Sequence, residues 1–196
     1  MARILVLENV SLDGVMQAPG RADEDARGGF AHGGWTASYN DPVKFKVMGE
    51  GISQGCALLF GRRTYEDFFK VWPGRTDNPF SAVLDNSHKF VASRTLKGPL
   101  EWNASLLQGD VAQQIEELKQ EPGRGLLQYG VGELTQTMLE HGLVDEFLLL
   151  IHPLVLGSGR RLFKNDGAYA PLRLINCVTT TTGVLMASYR PAVATA

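Results

Sequence analysis

A strand–glycine–helix unit occurs twice in this chain and limits the folds open to it. In Leu126–Leu139 a short apolar run (Leu126, Leu127, Tyr129) has strand character, Gly130 and Gly132 turn the chain, and Leu134 and Met138 stand four apart, as on a helix face. Cys56–Tyr65 repeats the design, with the apolar run Cys56-Ala-Leu-Leu-Phe60 followed by Gly61, Arg62, Arg63 and Thr64. Glycines at such a turn leave backbone N–H groups uncovered, and the helix start behind them adds partial positive charge. One unit alone reads as an ordinary strand-to-helix turn. Two of them, one carrying adjacent arginines, suggest a dinucleotide site.

The rest of the chain follows the same alternation. Ile4 to Val10 is nearly all apolar, as expected of a strand covered on both faces. Asp13-Gly14 breaks it, and a long irregular segment runs from there to Asn40. Its Phe30, Trp35 and Tyr39 point to a mobile cover over a cleft rather than to disorder. Asp41-Pro42 reads as an N-cap followed by Pro at the first helical position, with Phe45, Met48 and Ile52 at helical spacing. Thr64 and Asp67 form a near capping box for a helix that buries Tyr65, Phe68 and Phe69 and stops by Pro73. Phe80 to Leu84 adds a short helical turn, and His88 to Ala92 is a strand.

Asp110 caps a helix with Val111, Ile115 and Leu118 on one face, ended by Pro122-Gly123, and Gly142 closes the helix that begins near Glu133. Phe147 to Ile151 is expected to be a central strand. Leu172 to Val178 and Val184 to Tyr189 form an antiparallel pair joined through Thr182-Gly183. Strands alternating with helices and finished by a hairpin predict an α/β fold, a mostly parallel sheet with an antiparallel edge, in one domain spanning residues 1–196.

Composition excludes several function classes. A net charge of −2 gives no basic field for nucleic acid and no polybasic membrane anchor. No run reaches the ~18 apolar residues of a membrane span, and the start lacks signal-peptide design, so a cytoplasmic protein is expected. Cys56 and Cys177 lie far apart in apolar runs and read as buried free thiols. His32, His88, His141 and His152 show no metal-ligand spacing, so no metal site is expected. Gly51-Ile-Ser-Gln-Gly55 fits a nucleophile-elbow pattern, but helix precedes it and strand follows, so Ser53 reads as a helix-end residue. Gly130-Val-Gly-Glu-Leu-Thr135 lacks the third glycine of the dinucleotide-binding fingerprint.

An electrostatic pattern survives. Arg62 and Arg63 follow one strand, and Ser93-Arg94 follows the next. A guanidinium beside a hydroxyl suits a phosphate monoester, and in open α/β sheets these strand ends line the ligand crevice.

Ser11-Leu-Asp-Gly-Val15, Phe60-Gly-Arg-Arg-Thr-Tyr65, Val91-Ala-Ser-Arg-Thr-Leu96, Gly130-Val-Gly-Glu-Leu134 and Asp145-Glu146 with Pro153-Leu-Val-Leu-Gly157 and Leu162-Phe163 come in an order that resembles the dihydrofolate-reductase-like family. The closest branch is similar to the RibD C-terminal, riboflavin-biosynthesis reductase type. The resemblance implies a three-layer fold with a central sheet flanked by helices, NADPH as hydride donor, and a homodimer. By position, Gly61, Arg62, Arg63 and Thr64 would hold the NADPH phosphates, and Ser93 and Arg94 the adenosine 2′-phosphate. Gly130, Val131, Gly132, Glu133 and Leu134 would line the pyrophosphate and the ribose next to nicotinamide, and Val15 and Met16 would approach the nicotinamide ring. Asp13 would orient or protonate substrate. Asp41 stands near the buried acid of dihydrofolate reductases, while reading equally as a helix cap. The deaminase signature of the bifunctional riboflavin enzyme, H-x-E with P-C-x-x-C, is absent. The resemblance thus implies a reductase of a small carbonyl or imine, phosphoribosylaminouracil being the leading candidate. The alternatives are a dihydrofolate or pterin reductase, and a nucleotide-binding module without turnover.

Overall fold

The computed structural model describes residues 1–53, 56–78, 80–121, 125–130, 132–163, 167 and 169–192, with only the backbone of 49–53. Its elements are β1 (Ile4–Ser11), α1 (Pro42–Ser53), β2 (Ala57–Gly61), α2 (Arg62–Val71), α3 (Phe80–Asn86), β3 (Lys89–Ala92), β4 (Ala104–Leu107), α4 (Val111–Gln120), β5 (Leu126–Tyr129), α5 (Glu133–Glu140), β6 (Glu146–His152), β7 (Leu172–Thr179) and β8 (Leu185–Pro191). The strands form one sheet in the order β4-β3-β2-β5-β1-β6-β8-β7. Pairing of β2 with β3 and β5, and of β3 with β4, is parallel, whereas β8 pairs antiparallel with β6 and β7. The expected α/β architecture with its antiparallel edge is therefore present. Two compact units divide the chain: Met1–Val6 with Met48–Asp145, and Leu7–Val47 with Glu146–Ala196.

In the first unit, Leu58, Leu59, Phe60, Ile115, Leu126, Leu127 and Met138 are buried and supply the core. Strand β2 runs directly into α2. The helix starts at Arg62, two residues before the expected capping box, and no side chain caps it. With no linker between strand and helix, Thr64 already lies inside the first turn, which leaves that turn's amides without a side-chain acceptor. Asp110 caps α4 as expected, accepting from the amides of Ala112 and Gln113 at 2.9 and 3.2 Å. That helix ends at Gln120, and Pro122-Gly123 lies outside the described residues. Gly142, at φ 63°, follows α5 in the left-handed conformation that glycine adopts without strain. Strand β4 has no counterpart in the sequence reading. Its four residues are too few for a period-2 pattern, and its ladder to β3 defines it.

In the second unit, β6 is buried along nearly its whole length, while β7 at the sheet edge is largely exposed. Cys177 is consequently exposed and Cys56 half-buried. Neither is in a disulfide, and neither is enclosed as expected: Cys177 lies on an edge strand that lacks a covering neighbour, and Cys56 stands just before β2 in the first unit. The segment after β1 contains short 3-10 turns at Arg27–Gly29 and Ala37–Tyr39. Far from being a bare cover, it buries Val15, Ala18, Phe30 and Trp35 against Leu154 and Leu156. The inward face of α1 also differs from expectation: Asp41 and Lys44 are buried and Phe45 is exposed.

Candidate functional site

The C-terminal ends of β3, β2 and β5 are adjacent in the sheet, and Gly61 stands opposite Ala92 in the β2–β3 ladder. Parallel pairing is what aligns these ends, since each strand leaves the sheet on the same side. Most of the expected phosphate-binding residues follow them. Arg62 occupies the first turn of α2, its Nη1 3.2 Å from Glu66 Oε1. Arg63 is exposed. Ser93 Oγ accepts from the amides of Thr95 and Leu96 at 3.1 and 2.9 Å, which folds the turn that presents Arg94. Arg94 Nη2 lies 3.0 Å from Glu133 Oε2 and so ties the end of β3 to the start of α5.

Gly130 adopts φ 74° and packs on Thr64: a Cβ there would overlap Thr64 Oγ1 and come within 2.8 Å of its Cγ2. Only a glycine lets the β5–α5 turn approach the first turn of α2 this closely. At Gly61 and Gly132, by contrast, a Cβ would meet nothing within 4 Å, so their backbones border open space. Bare amides, a helix start and guanidinium groups are thereby gathered at one sheet end, the donor set a pyrophosphate fits. Leu134 turns its side chain into the core, leaving only its backbone for a ligand. Val131 lies outside the described residues.

Val15, Met16, Asp13 and Asp41 belong to the second unit. The Val15 side chain is buried against Phe30 and Gly159, and Met16 donates its amide to Arg160 O at 2.9 Å. Asp13 fastens the segment after β6 to the end of β1. Its Oδ1 accepts from Ser11 Oγ at 2.6 Å and from the Leu156 amide at 3.1 Å, and its Oδ2 from the Gly157 amide at 2.9 Å. Arg161 Nη2 stands 3.6 Å from the same oxygen. The Ser11 hydroxyl, helped by the two amides, holds the Asp13 carboxyl down at about 2, so it is an anion at neutral pH.

Asp41 is likewise committed. Its Oδ1 caps α1 through the Val43 amide at 2.7 Å, and its Oδ2 accepts from the Thr181 amide at 2.8 Å and from the Thr181 hydroxyl. The Thr181 hydroxyl, with the backbone amides, keeps this carboxyl below the usual carboxylate range. Asp13 and Asp41 share none of these partners.

A further polar cluster in this unit escaped the sequence reading. His152, at the end of β6, is completely buried, its Nε2 3.0 Å from Asn9 Oδ1. The rings of Trp35 and Tyr39 meet it edge-on, both at 5.1 Å between centroids. Burial, with the Lys44 charge as a lesser cause, pushes the imidazole down to about 4 and keeps it neutral. Lys44 is itself only 7% exposed, and desolvation lowers its ammonium from the ordinary lysine value. No motif marks these residues. A buried lysine beside a helix cap looks, in sequence, like one on a solvated face.

Among the described residues no group of three or more His, Cys, Asp or Glu is placed to hold a metal ion, and no helix is long and apolar enough to cross a membrane.

Comparison with known proteins gives the arrangement its context. YyaP of Bacillus subtilis (strain 168), itself uncharacterised, is 30% identical over 142 residues, 70% of this chain and 75% of that protein. A Shewanella sp. PV-4 structure, assigned by its name to riboflavin biosynthesis, superposes with a TM-score of 0.71 at 22% identity, covering 98% of this chain and 100% of that one. The diaminohydroxyphosphoribosylaminopyrimidine deaminase/5-amino-6-(5-phosphoribosylamino)uracil reductase of Thermotoga maritima gives a TM-score of 0.60 at 14% identity. It covers 97% of this chain, which spans 57% of the bifunctional protein. RibD of Acinetobacter baumannii gives 0.61 at 14%, with 98% and 58% covered. These likenesses establish a dihydrofolate-reductase-like fold. The sequence profile of the RibD C-terminal domain matches residues 3–186, and the chain belongs to that family.

Proposed function

We propose that the protein is a cytoplasmic NADPH-dependent reductase that delivers hydride to a small carbonyl or imine compound, with an aminouracil of the kind reduced by the Thermotoga protein as the first substrate to test. The observation that carries this reading is the meeting of Gly61–Thr64, Ser93–Arg94, Gly130 and Gly132–Glu133 at adjoining ends of parallel strands. The open space at Gly61 and Gly132 fits a pyrophosphate approached by backbone amides, and Arg94 with Arg63 supplies charge for a further phosphate. When bound, NADPH supplies the hydride. The residues of this chain bind its phosphates, fix its orientation and keep water from the transfer.

Titration with NADPH and NADH, followed by tryptophan fluorescence, tests the reading. In Arg94→Ala, NADPH affinity falls roughly tenfold to hundredfold while NADH changes little, because a charge-assisted hydrogen bond is worth ~1.5–3 kcal/mol. Equal losses for the two cofactors would remove Arg94 from the 2′-phosphate.

A pterin reductase needs a carboxyl free to hydrogen-bond its substrate. Both Asp41 oxygens already accept donors of the protein, which argues against that alternative. A module without turnover would bind NADPH and oxidise none of it across a broad panel of carbonyl substrates.

A further inference from the structure

One carboxylate stands among the cradle's donors, and a site that served only to gather anions has no use for it. Arg94 and Glu133 both belong to the first unit, as do Gly61, Gly130 and Gly132. Glu133 is the first residue of α5, and its Oε2 accepts from Arg94 Nη2 at 3.0 Å. The two residues are 39 positions apart, so the contact is made by the fold that brings the turn after β3 to the start of α5. The pair of Arg62 with Glu66 differs, since it joins residues one turn apart and forms wherever α2 forms. Both side chains of the Arg94 pair are solvated, 87% and 76% exposed. A pair so exposed contributes little to folding and opens readily. Its charge nevertheless acts twice on a ligand phosphate. It occupies the Arg94 guanidinium, and it offsets the partial positive charge at the start of α5, where Gly132 brings no side-chain cap.

We propose that Glu133 sets the cofactor preference of this cradle by competing with the 2′-phosphate for Arg94. The inference rests on the reductase reading, in which NADPH is the ligand and Arg94 its 2′-phosphate partner. A phosphate that reaches Arg94 displaces the Glu133 carboxylate into solvent and then lies within range of its negative charge. NADH carries a hydroxyl at that position, leaves the ion pair closed and meets no such repulsion. Glu133 thereby narrows the preference for NADPH that Arg94 alone creates. It touches no reacting atom and is a specificity residue, acting on one phosphate of the cofactor. Because both the pair and the repulsion are exposed to solvent, the effect is strongest at low ionic strength and fades as salt screens it.

Glu133→Gln keeps the shape of the side chain and removes its charge. NADPH and NADH are titrated at low salt into the wild type, Glu133→Gln, Arg94→Ala and the double variant, with tryptophan fluorescence as the signal. Glu133→Gln should bind NADPH roughly threefold to tenfold more tightly and NADH within about twofold of the wild type. The gain should shrink at about 0.5 M salt, where screening cuts the reach of the charge to a few ångströms. It should also shrink in the Arg94→Ala background, because the two residues act through one contact. A carboxylate that only steadied the start of α5 would shift the thermal midpoint and leave the ratio of the two affinities unchanged. NADPH affinity unchanged in Glu133→Gln overturns the proposal, and so does a loss, which would make Glu133 a ligand of the cofactor. The two readings fail differently. NADPH that binds with no response to Glu133→Gln sinks the competition alone. NADPH that binds with the expected response but is never oxidised sinks the reductase and leaves the competition standing. NADPH that binds none of the four proteins sinks both.

Discussion

A single carboxylate can be an acid, a cap or a clasp, and its partners decide which. Asp41 accepts from three donors on two elements, Val43 of α1 and Thr181 of the β7–β8 turn. Asp41→Ala should therefore lower the denaturant midpoint while leaving NADPH affinity intact and turnover within about tenfold of wild type. General acids contribute roughly 10²–10⁴-fold, so a hundredfold loss of kcat at an unchanged midpoint would reassign Asp41 to the chemistry. Much of this was legible in advance, since Asp-Pro at a helix start names a cap by its residue types alone. The second half of the role was not. Thr181 lies 140 positions away, and no local pattern announces a contact at that separation. Lys44 and His152 were invisible for the same reason: burial is a property of the packed state, and neither residue type signals it.

Most elements built from local rules matched the structure, the capping box at Thr64 excepted, and those defined by neighbours did not. The Asp110 cap, the glycine beyond α5 and the strand at Leu126–Tyr129 follow from residue types in order along the chain. Strand β4 exists through its pairing, and the inward face of α1 is set by what lies beneath it, so neither could be derived from spacing. The turn after β5 offers a sharper test of how elements constrain each other. Gly130 combines a left-handed backbone with contact on Thr64, so Gly130→Ala should cost about 2–4 kcal/mol from backbone strain and overpacking together. Thermal unfolding measures the loss. A Thr64→Ala change added to it should recover part of the packing cost and none of the backbone cost. Full additivity of the two substitutions would mean that the turn and the helix do not meet as described.

Stability of the whole molecule should depend on pH at both ends of the range. His152 is held near 4 in the folded chain against 6.5 for a free imidazole, so the unfolded chain binds the extra proton first. Stability is then lost as pH falls from about 6.5 toward 4. On the alkaline side, Lys89 is completely buried, its ammonium 4.1 Å from the centre of the Trp102 ring, and desolvation brings it down to about 8 from 10.5. Here too the unfolded chain holds more protons, so stability gains between about 8 and 10.5. Denaturant midpoints against pH check both slopes, and Lys89→Met should flatten the alkaline one. We propose that the homodimer expected from the resemblance forms through β7, where the exposed Leu174 and Ile175 offer an apolar edge. The double change of these two residues to Lys should leave a monomer in sedimentation, and a dimer of undiminished affinity would place the contact elsewhere. The way the chain is shared between its units bears on how it is made. Residues 7–47 leave the ribosome early yet belong with a segment that begins only at Glu146, whereas the unit closed by Asp145 has all its parts by then. Vectorial synthesis thus lets the first unit mature first, while the aromatic segment waits, exposed to chaperones and proteases, until the residues from Glu146 onward have emerged.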